Sequence, residues 1–165
     1  MKKWLLIIGF ILCFNSAHAI STVDELVEFC HKDPEEISLW ITFNIKYVSD
    51  QEKWGMEDYW QSPTETLTQN KEGKYTGDCE DYAILAYACM KKLGYKPKIF
   101  IMYEKQNAHA VCLVRYKRAW YYLGEELLTR TKAISYMDVV RSYNFYYDSK
   151  YTWYYFLTEK EFSLN

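Results

Sequence analysis

The spacing of apolar residues changes once along the chain, near Gly94, and no other feature constrains the fold as strongly. Before Gly94 apolar residues recur at helical spacing, and after it they alternate as in half-buried strands. Strands are predicted for the runs "KPKIFIMYEK", "HAVCLVRY", "AWYYLG" and "YTWYYFLT", and the middle two form a hairpin that turns near Lys117 and Arg118. Residues 131–148 fit neither pattern. Helices followed by antiparallel strands predict an α+β domain in which a helix packs against the sheet.

Three helices are predicted in the first half of the chain. The run "STVDELVEFCHKD" begins with a capping box at Thr22, and "DPEEISLWITFNIKYVSD" begins with Asp33 as N-cap and Pro34 in its first turn. The apolar stripe of this second helix extends to Val48. The third helix begins at "GDCED", after residues 49–77, which lack periodicity and form a long connection of the kind that compact domains keep for function.

Residues 1–19 have the pattern of an export signal. Lys2 and Lys3 precede an apolar run at residues 4–14, and residues 17–19, Ala-His-Ala, fit a cleavage site. The apolar run is too short to span a bilayer, so no stable membrane anchor is expected. We therefore predict a signal peptide over residues 1–19, a single domain over residues 20–165, and secretion, with the periplasm as the expected compartment.

The charge of the chain argues against one class of partner. The formal net charge is −2, and no basic stripe or cluster is visible, so nucleic acid is not an expected partner. Aromatic residues make up 19% of the chain, including 17 Tyr, which favours a tyrosine-rich sheet. The same residues would suit a cleft for a polymer or peptide, although core packing alone explains them.

Cys79 stands among three acidic residues, Asp78, Glu80 and Asp81, at the predicted start of the third helix. The positive end of a helix dipole stabilises a thiolate, whereas neighbouring carboxylates oppose it. The carboxylates are explained if they simply cap the helix. Alternatively, they belong to a site in which another group offsets their charge.

A nucleophilic thiol needs a histidine nearby. Residues 20–165 contain two, His31 and His109. His31 lies at the end of a helix beside charged residues, where a surface role is expected. His109 opens the predicted strand "HAVCLV", and the distance in sequence leaves its contact with Cys79 open.

Three further cysteines, Cys30, Cys89 and Cys112, are present in residues 20–165. Disulfides form in exported proteins, so a pairing among them is possible and at least one of the three must stay free. The positions of Cys89 and Cys112, inside a helix and inside a strand, favour the role of small buried hydrophobes.

Three blocks of the sequence closely resemble one family. They are residues 44–67 ("NIKYVSDQEKWGMEDYWQSPTETL"), residues 77–87 ("GDCEDYAILAY") and residues 109–115 ("HAVCLVR"). They resemble the bacterial transglutaminase-like cysteine peptidases, which belong to the papain-related, transglutaminase-like superfamily. The resemblance implies a nucleophile-bearing helix packed on an antiparallel sheet. It also implies a thiol hydrolase that cleaves amide bonds of a protein or peptide without an organic cofactor.

The resemblance further implies a catalytic triad. Cys79 would be the nucleophile and His109 the general base and acid, with an acid on the next strand orienting the imidazole. The family places an Asp where this chain has Gly124. We assign Glu125 as the replacement, and the alternatives are Glu126 or no third acid.

The register of the hairpin decides between the two glutamates. A two-residue loop at Lys117 and Arg118 places His109 opposite Glu126, whereas a turn centred on Lys117 places it opposite Glu125. Glutamate is one methylene longer than aspartate, so a displaced backbone can still deliver its carboxylate.

A calcium site is also implied. In adhesin-cleaving periplasmic members of the family, the acids on either side of the nucleophile bind Ca²⁺, and Asp78 and Glu80 match those positions. Carboxylate oxygens suit Ca²⁺, and the cation would offset their effect on the thiolate. Further ligands are expected from residues 49–77.

The oxyanion hole of the family is expected to use the backbone N–H of Cys79. Asn44 and Trp60 are candidates for an additional side-chain donor, although a core role is the favoured explanation for each. Two other functions stay open beside thiol hydrolysis. One is a catalytically impaired module that binds a peptide or a regulatory protein partner, which Gly124 favours. The other is acyl transfer, which shares the acyl-enzyme with hydrolysis.

Overall fold

A five-stranded antiparallel sheet with helices on both faces forms the body of the molecule. The computed structural model describes residues 19–105, 107–158 and 160. The helices are α1 (Val23–Phe29), α2 (Pro34–Asn44), α3 (Asp50–Lys53), α4 (Pro63–Thr66), α5 (Cys79–Lys92) and α6 (Tyr136–Tyr147). The strands are β1 (Ile45–Tyr47), β2 (Tyr75–Gly77), β3 (Lys98–Glu104), β4 (Asn107–Tyr116), β5 (Ala119–Leu123), β6 (Thr129–Arg130) and β7 (Trp153–Leu157). The predicted α+β class is confirmed.

The strand order in the sheet is β6-β5-β4-β3-β7, and all neighbouring strands are antiparallel. The hairpin between β4 and β5 turns at Lys117 and Arg118, whose φ angles of 47° and 63° are typical of a two-residue type I′ turn. Tyr116 therefore pairs with Ala119, and the register continues to the pair of Cys112 and Leu123. This is the register that places position 126 opposite His109.

The first two helices begin where the sequence predicts. The side chain of Thr22 accepts a hydrogen bond in a capping box, and Asp33 caps α2 with Pro34 in the first turn. The prediction that the second helix continues to Val48 is wrong, because α2 ends at Asn44. The next three residues form β1, whose backbone pairs in parallel with β2 instead of continuing the helical hydrogen bonds.

The sheet separates two apolar cores, because alternate residues of β4 face opposite sides. Cys112 and Val114 pack with α1, α2 and α5 on one side. Val111 and Leu113 pack with α6 on the other side. The segment 131–148, which showed no clear periodicity, therefore contains the helix that covers the second face, and α5 covers the first, as predicted.

The predicted signal peptide lies outside the described residues, except for Ala19. Within the part of the chain that the structure describes, the helices are too short or too polar to cross a membrane.

Candidate active site

The start of α5 is fixed by Asp81, a fully buried carboxylate. It accepts hydrogen bonds from the backbone N–H of Asp78 at 3.2 Å and of Gln61 at 2.8 Å, and from the side-chain amide of Gln61. Gly77 is required beside it, because a Cβ atom there would lie 2.7 Å from Cβ of Asp81. Burial raises the pKa of Asp81 to about 7. This residue of "GDCED" is therefore structural and joins the loop of residues 49–77 to the helix that carries Cys79.

Cys79, the first residue of α5, is partly buried, and its thiol contacts two groups. The Sγ atom donates to Oε2 of Glu80 at 3.0 Å, and the backbone N–H of Ala110, on β4, donates to Sγ. Burial, followed by the charge of Glu80, raises the pKa of the thiol well above its ordinary value. The helix dipole alone does not offset these effects, so Cys79 is held as a thiol.

His109 lies near the start of β4, next to Ala110, and its side chain is buried against Glu126. Atom Nε2 of His109 is 2.9 Å from Oε1 of Glu126, and the two side chains are 11% and 9% exposed. The contact is an ion pair when the imidazole is protonated. Burial raises the pKa of Glu126, but contact with His109 and a hydrogen bond from Tyr143 outweigh burial, and the net pKa is lowered.

The structure places Glu126, rather than the predicted Glu125, in direct contact with His109. The two-residue loop of the hairpin sets the register that favours Glu126, and the side chain of Glu126 makes the contact with His109. Glu125 lies at the exposed edge of the site. Partial burial of its carboxylate, followed by the charge of Glu126, raises its pKa. A Cβ atom at Gly124 would make only ordinary contacts, at 3.8 Å or more, so its neighbours do not require a glycine there.

Two tyrosines that follow β5 complete the surroundings of His109. The ring of Tyr143, on α6, lies 5.1 Å from the imidazole, and the ring of Tyr151 stacks on it at 6.3 Å. Among the groups that raise the pKa of Tyr151, burial is the largest and the charge of Cys79 the next. Tyr151 is therefore close to both Cys79 and His109. Sequence reasoning missed both tyrosines. Tyr143 lies in residues 131–148, which gave no clear pattern, and Tyr151 opens the run predicted only as the last strand.

Three carboxylates meet beside Cys79: those of Asp50, Asp78 and Glu80. One oxygen of each lies within 4.8 Å of the others. An oxygen of Asp50 and one of Asp78 are buried without a hydrogen-bond partner. Burial, then the charges of Glu80 and Asp50, raise the pKa of Asp78 to about 8. Buried, unpartnered oxygens from Asp50 and Asp78, with the carboxylate of Glu80 beside them, fit a divalent cation. Asp50 belongs to the loop expected to supply further ligands.

The two proposed side-chain donors for an oxyanion already have partners. The amide of Asn44 donates to the carbonyl oxygen of Trp40 at 2.9 Å. The indole N–H of Trp60 donates to Asp58 at 2.6 Å, which occupies its one donor. The backbone N–H of Cys79 remains the expected donor.

The other three described cysteines are buried free thiols, and the described residues contain no disulfide. Burial raises the pKa of Cys30 to about 12 and that of Cys112 well above its ordinary value. Cys79 is thus the described cysteine that is not enclosed in the core, and its thiol contacts Ala110, the residue that follows His109.

The family model of the bacterial transglutaminase-like cysteine proteinases matches residues 17–137 of this chain. The chain belongs to this family. A protein of Cytophaga hutchinsonii, provisionally named a cysteine protease, has a solved structure that is similar with a TM-score of 0.45 and 20% identity. The match covers 74% of this chain and 46% of that one, so the chain spans about half of its length. A search of curated proteins finds no match.

This transglutaminase-like cysteine proteinase builds part of its site from residues beyond the family match. Tyr143 and Tyr151, which pack on His109, both follow residue 137. Gly124 stands where the resemblance implies an Asp, and Glu126 makes the contact with His109.

Proposed function

We propose that the protein is an exported thiol hydrolase that cleaves amide bonds in a protein or peptide. Cys79 is the nucleophile, His109 the general base and acid, and Glu126 the acid that orients the imidazole. The observation that carries the proposal is the buried contact between His109 and Glu126. His109 lies on β4 next to Ala110, whose backbone N–H donates to Sγ of Cys79. The family match independently favours a protein or peptide as substrate.

The proposed reaction follows from these positions. His109 takes the proton of Cys79, and the thiolate attacks the carbonyl carbon of the substrate while the backbone N–H of Cys79 faces the developing oxyanion. Collapse of the tetrahedral intermediate breaks the C–N bond, and the imidazolium gives its proton to the leaving amine. Water, deprotonated by His109, then hydrolyses the thioester. Glu126 stabilises the imidazolium in both halves of the reaction.

We further propose that Asp50, Asp78 and Glu80 hold Ca²⁺. A bound Ca²⁺ would offset two of the three negative charges of these carboxylates. Lys53 is the nearby cation of the chain, but its ammonium group donates to Gln61 and to the carbonyl oxygen of Thr76. With Glu80 neutralised, its charge no longer raises the pKa of the Cys79 thiol, and His109 can take the proton.

Export through a signal peptide is part of the same proposal. Ile20 is buried, and its backbone N–H donates to the hydroxyl of Tyr75 at 2.8 Å. Cleavage after Ala19 would leave Ile20 as the first residue, docked in the core. N-terminal sequencing of the protein recovered from the periplasm tests this, and a mature chain that begins elsewhere would contradict it.

One observation favours the competing function, a catalytically impaired module that binds a peptide. The thiol of Cys79 donates to Glu80, and its pKa is raised well above the ordinary value. A thiol held in this way is a poor nucleophile unless a cation engages Glu80.

Labelling with iodoacetamide at pH 6.5 separates the two functions. We expect Cys79 to react faster than Cys30, Cys89 and Cys112 when Ca²⁺ is present, and His109→Ala to slow its labelling by about 100-fold. Cys79→Ala identifies the labelled site. Slow labelling that His109→Ala leaves unchanged, with and without Ca²⁺, would refute the hydrolase and leave the binding module.

A further inference from the structure

The hydroxyl of Tyr143 donates a hydrogen bond to Oε1 of Glu126, the same oxygen that contacts Nε2 of His109. One side chain on α6 thus holds the acid that faces the histidine. We infer that Tyr143 is a positioning residue that fixes Glu126 against the His109 imidazole. The inference rests on the proposed function, because it assigns a role within the Cys79, His109 and Glu126 site.

Glu126 needs such support more than an acid within a strand would. Strand β5 ends at Leu123, and the backbone bends so that the N–H of Gly124 donates to the carbonyl oxygen of Glu126 at 3.2 Å. A glutamate side chain loses more rotamer freedom on ordering than a shorter aspartate. The other oxygen, Oε2, is buried without a hydrogen-bond partner. The hydrogen bond from Tyr143 therefore selects the orientation that places Oε1 at the imidazole.

The ring of Tyr143 also contacts the imidazole itself. The two ring centroids are 5.1 Å apart with an interplanar angle of 37°. Tyr143 is 5% exposed, and the rings of Tyr122 and Tyr147 pack on it at 5.3 Å and 4.6 Å. Because these neighbours hold Tyr143 in place, it touches both members of the acid and histidine pair from a rigid position.

Tyr143→Phe tests the inference, because it removes the hydroxyl and keeps the ring. Tyr136→Phe is the matched control, since Tyr136 lies on the same helix and packs on Phe100 and Phe156, away from His109. We expect Tyr143→Phe to slow labelling of Cys79 by about tenfold, because a hydrogen bond to a charged group is lost. The control is expected to change the rate by less than about twofold.

An NMR titration of His109 separates a positioning role of Tyr143 from a merely structural one, because loss of a structural contact alone would leave the titration unchanged. Glu125, Glu126, Tyr143 and Tyr151 surround the imidazole, and the variant loosens Glu126 alone. We expect the imidazole signals of His109 to titrate at lower pH in Tyr143→Phe than in the unmodified protein, because a loosened carboxylate stabilises the imidazolium less. Lower thermal stability with an unchanged His109 titration would overturn the inference.

A double-mutant cycle decides whether Tyr143 acts through Glu126. In the Glu126→Gln background, Tyr143→Phe should change the labelling rate by less than about twofold, because the carboxylate that it positions is absent. Equal effects in both backgrounds would overturn the inference. If Cys79 of the unmodified protein is unreactive, the proposed function fails, while the His109 titration still decides the role of Tyr143.

Discussion

Two groups of carboxylates flank the Cys79 and His109 site, and they differ in what surrounds them. Glu126 is buried beside an imidazole and a tyrosine hydroxyl, and its pKa is lowered. Asp78 is buried beside Glu80 and Asp50, and its pKa is raised to about 8. Burial opposes ionisation in both places, so the partners decide the outcome. At Glu126 the protein itself supplies the partners that favour the charged form, whereas at Asp78 the proposed cation would supply the opposite charge.

The largest expected effect separates the two adjacent glutamates. Glu126→Gln should lower the rate of Cys79 labelling by about 100-fold or more, because loss of the orienting charge disables a triad. Glu125→Gln, the matched control, should stay within about threefold, because its carboxylate lies within 4.8 Å of a His109 ring nitrogen but does not make the 2.9 Å contact of Glu126. Rate measurements at pH 7 with Ca²⁺ test both variants. A larger loss in Glu125→Gln would assign the orienting role to Glu125, and equal losses would assign it to neither residue alone.

The next effect concerns the cation. Calcium at about 100 times its dissociation constant should stabilise the protein by about 2.7 kcal/mol, because it binds the folded state. Asp50→Asn should abolish most of this stabilisation, since it removes one of the three charges that face the cation. Glu57→Gln, an exposed acid in the same loop, is the control and should keep it. Thermal unfolding with Ca²⁺ and with chelator measures the difference, and identical curves for the unmodified protein would exclude the calcium site.

A smaller effect follows from the pKa of Asp78. Because this pKa is raised to about 8 in the folded protein, the metal-free folded state binds more protons than the unfolded state between about pH 4 and pH 8. Stability without calcium should therefore fall as the pH rises through this window. With saturating Ca²⁺ the fall should be reversed, because the cation replaces the proton. In chelator, the melting temperature should drop by about 4 °C from pH 5 to pH 8. If Asp78→Asn removes this drop, the pH dependence is assigned to Asp78.

The smallest effect compares two buried glycines beside the two carboxylate groups. Gly77→Ala should cost about 1–3 kcal/mol of unfolding free energy, because the new Cβ atom would overlap the Asp81 side chain. Gly124→Ala should cost less than about 1 kcal/mol, because its nearest neighbours lie at 3.8 Å. Urea unfolding of both variants measures this. The reverse order would show that Gly124 has a conformational role.

Much of the fold could be predicted from local sequence chemistry. The caps at Thr22 and Asp33 and the two-residue turn at Lys117 are local signals, and each is confirmed by the structure. The end of α2 could not be predicted, because the pairing of β1 with β2 depends on residues far along the chain. Helix α6 was missed because many of its aromatic residues are exposed, which obscures the apolar stripe.

The site shows the same division. Sequence position predicts Cys79 at a helix start and His109 on a strand, and the structure places them there. The choice between Glu125 and Glu126 required the hairpin register. The sequence indicated further ligands within residues 49–77 but could not single out Asp50, because that segment lacks periodicity. Tyr143 was missed because it lies in residues 131–148, which also lack a clear pattern.

The turn at Lys117 and Arg118 has a consequence for how this protein tolerates change. The turn lies at one end of the hairpin, and His109 and Glu126 lie towards the other. A substitution in the turn that keeps its length leaves every strand pair in place. Insertion of a single residue would shift the partner of His109 by one position and direct Glu126 to the opposite face of the sheet. The length of this distant surface loop is therefore under the constraint usually associated with catalytic residues, while the identity of its side chains is comparatively free to drift.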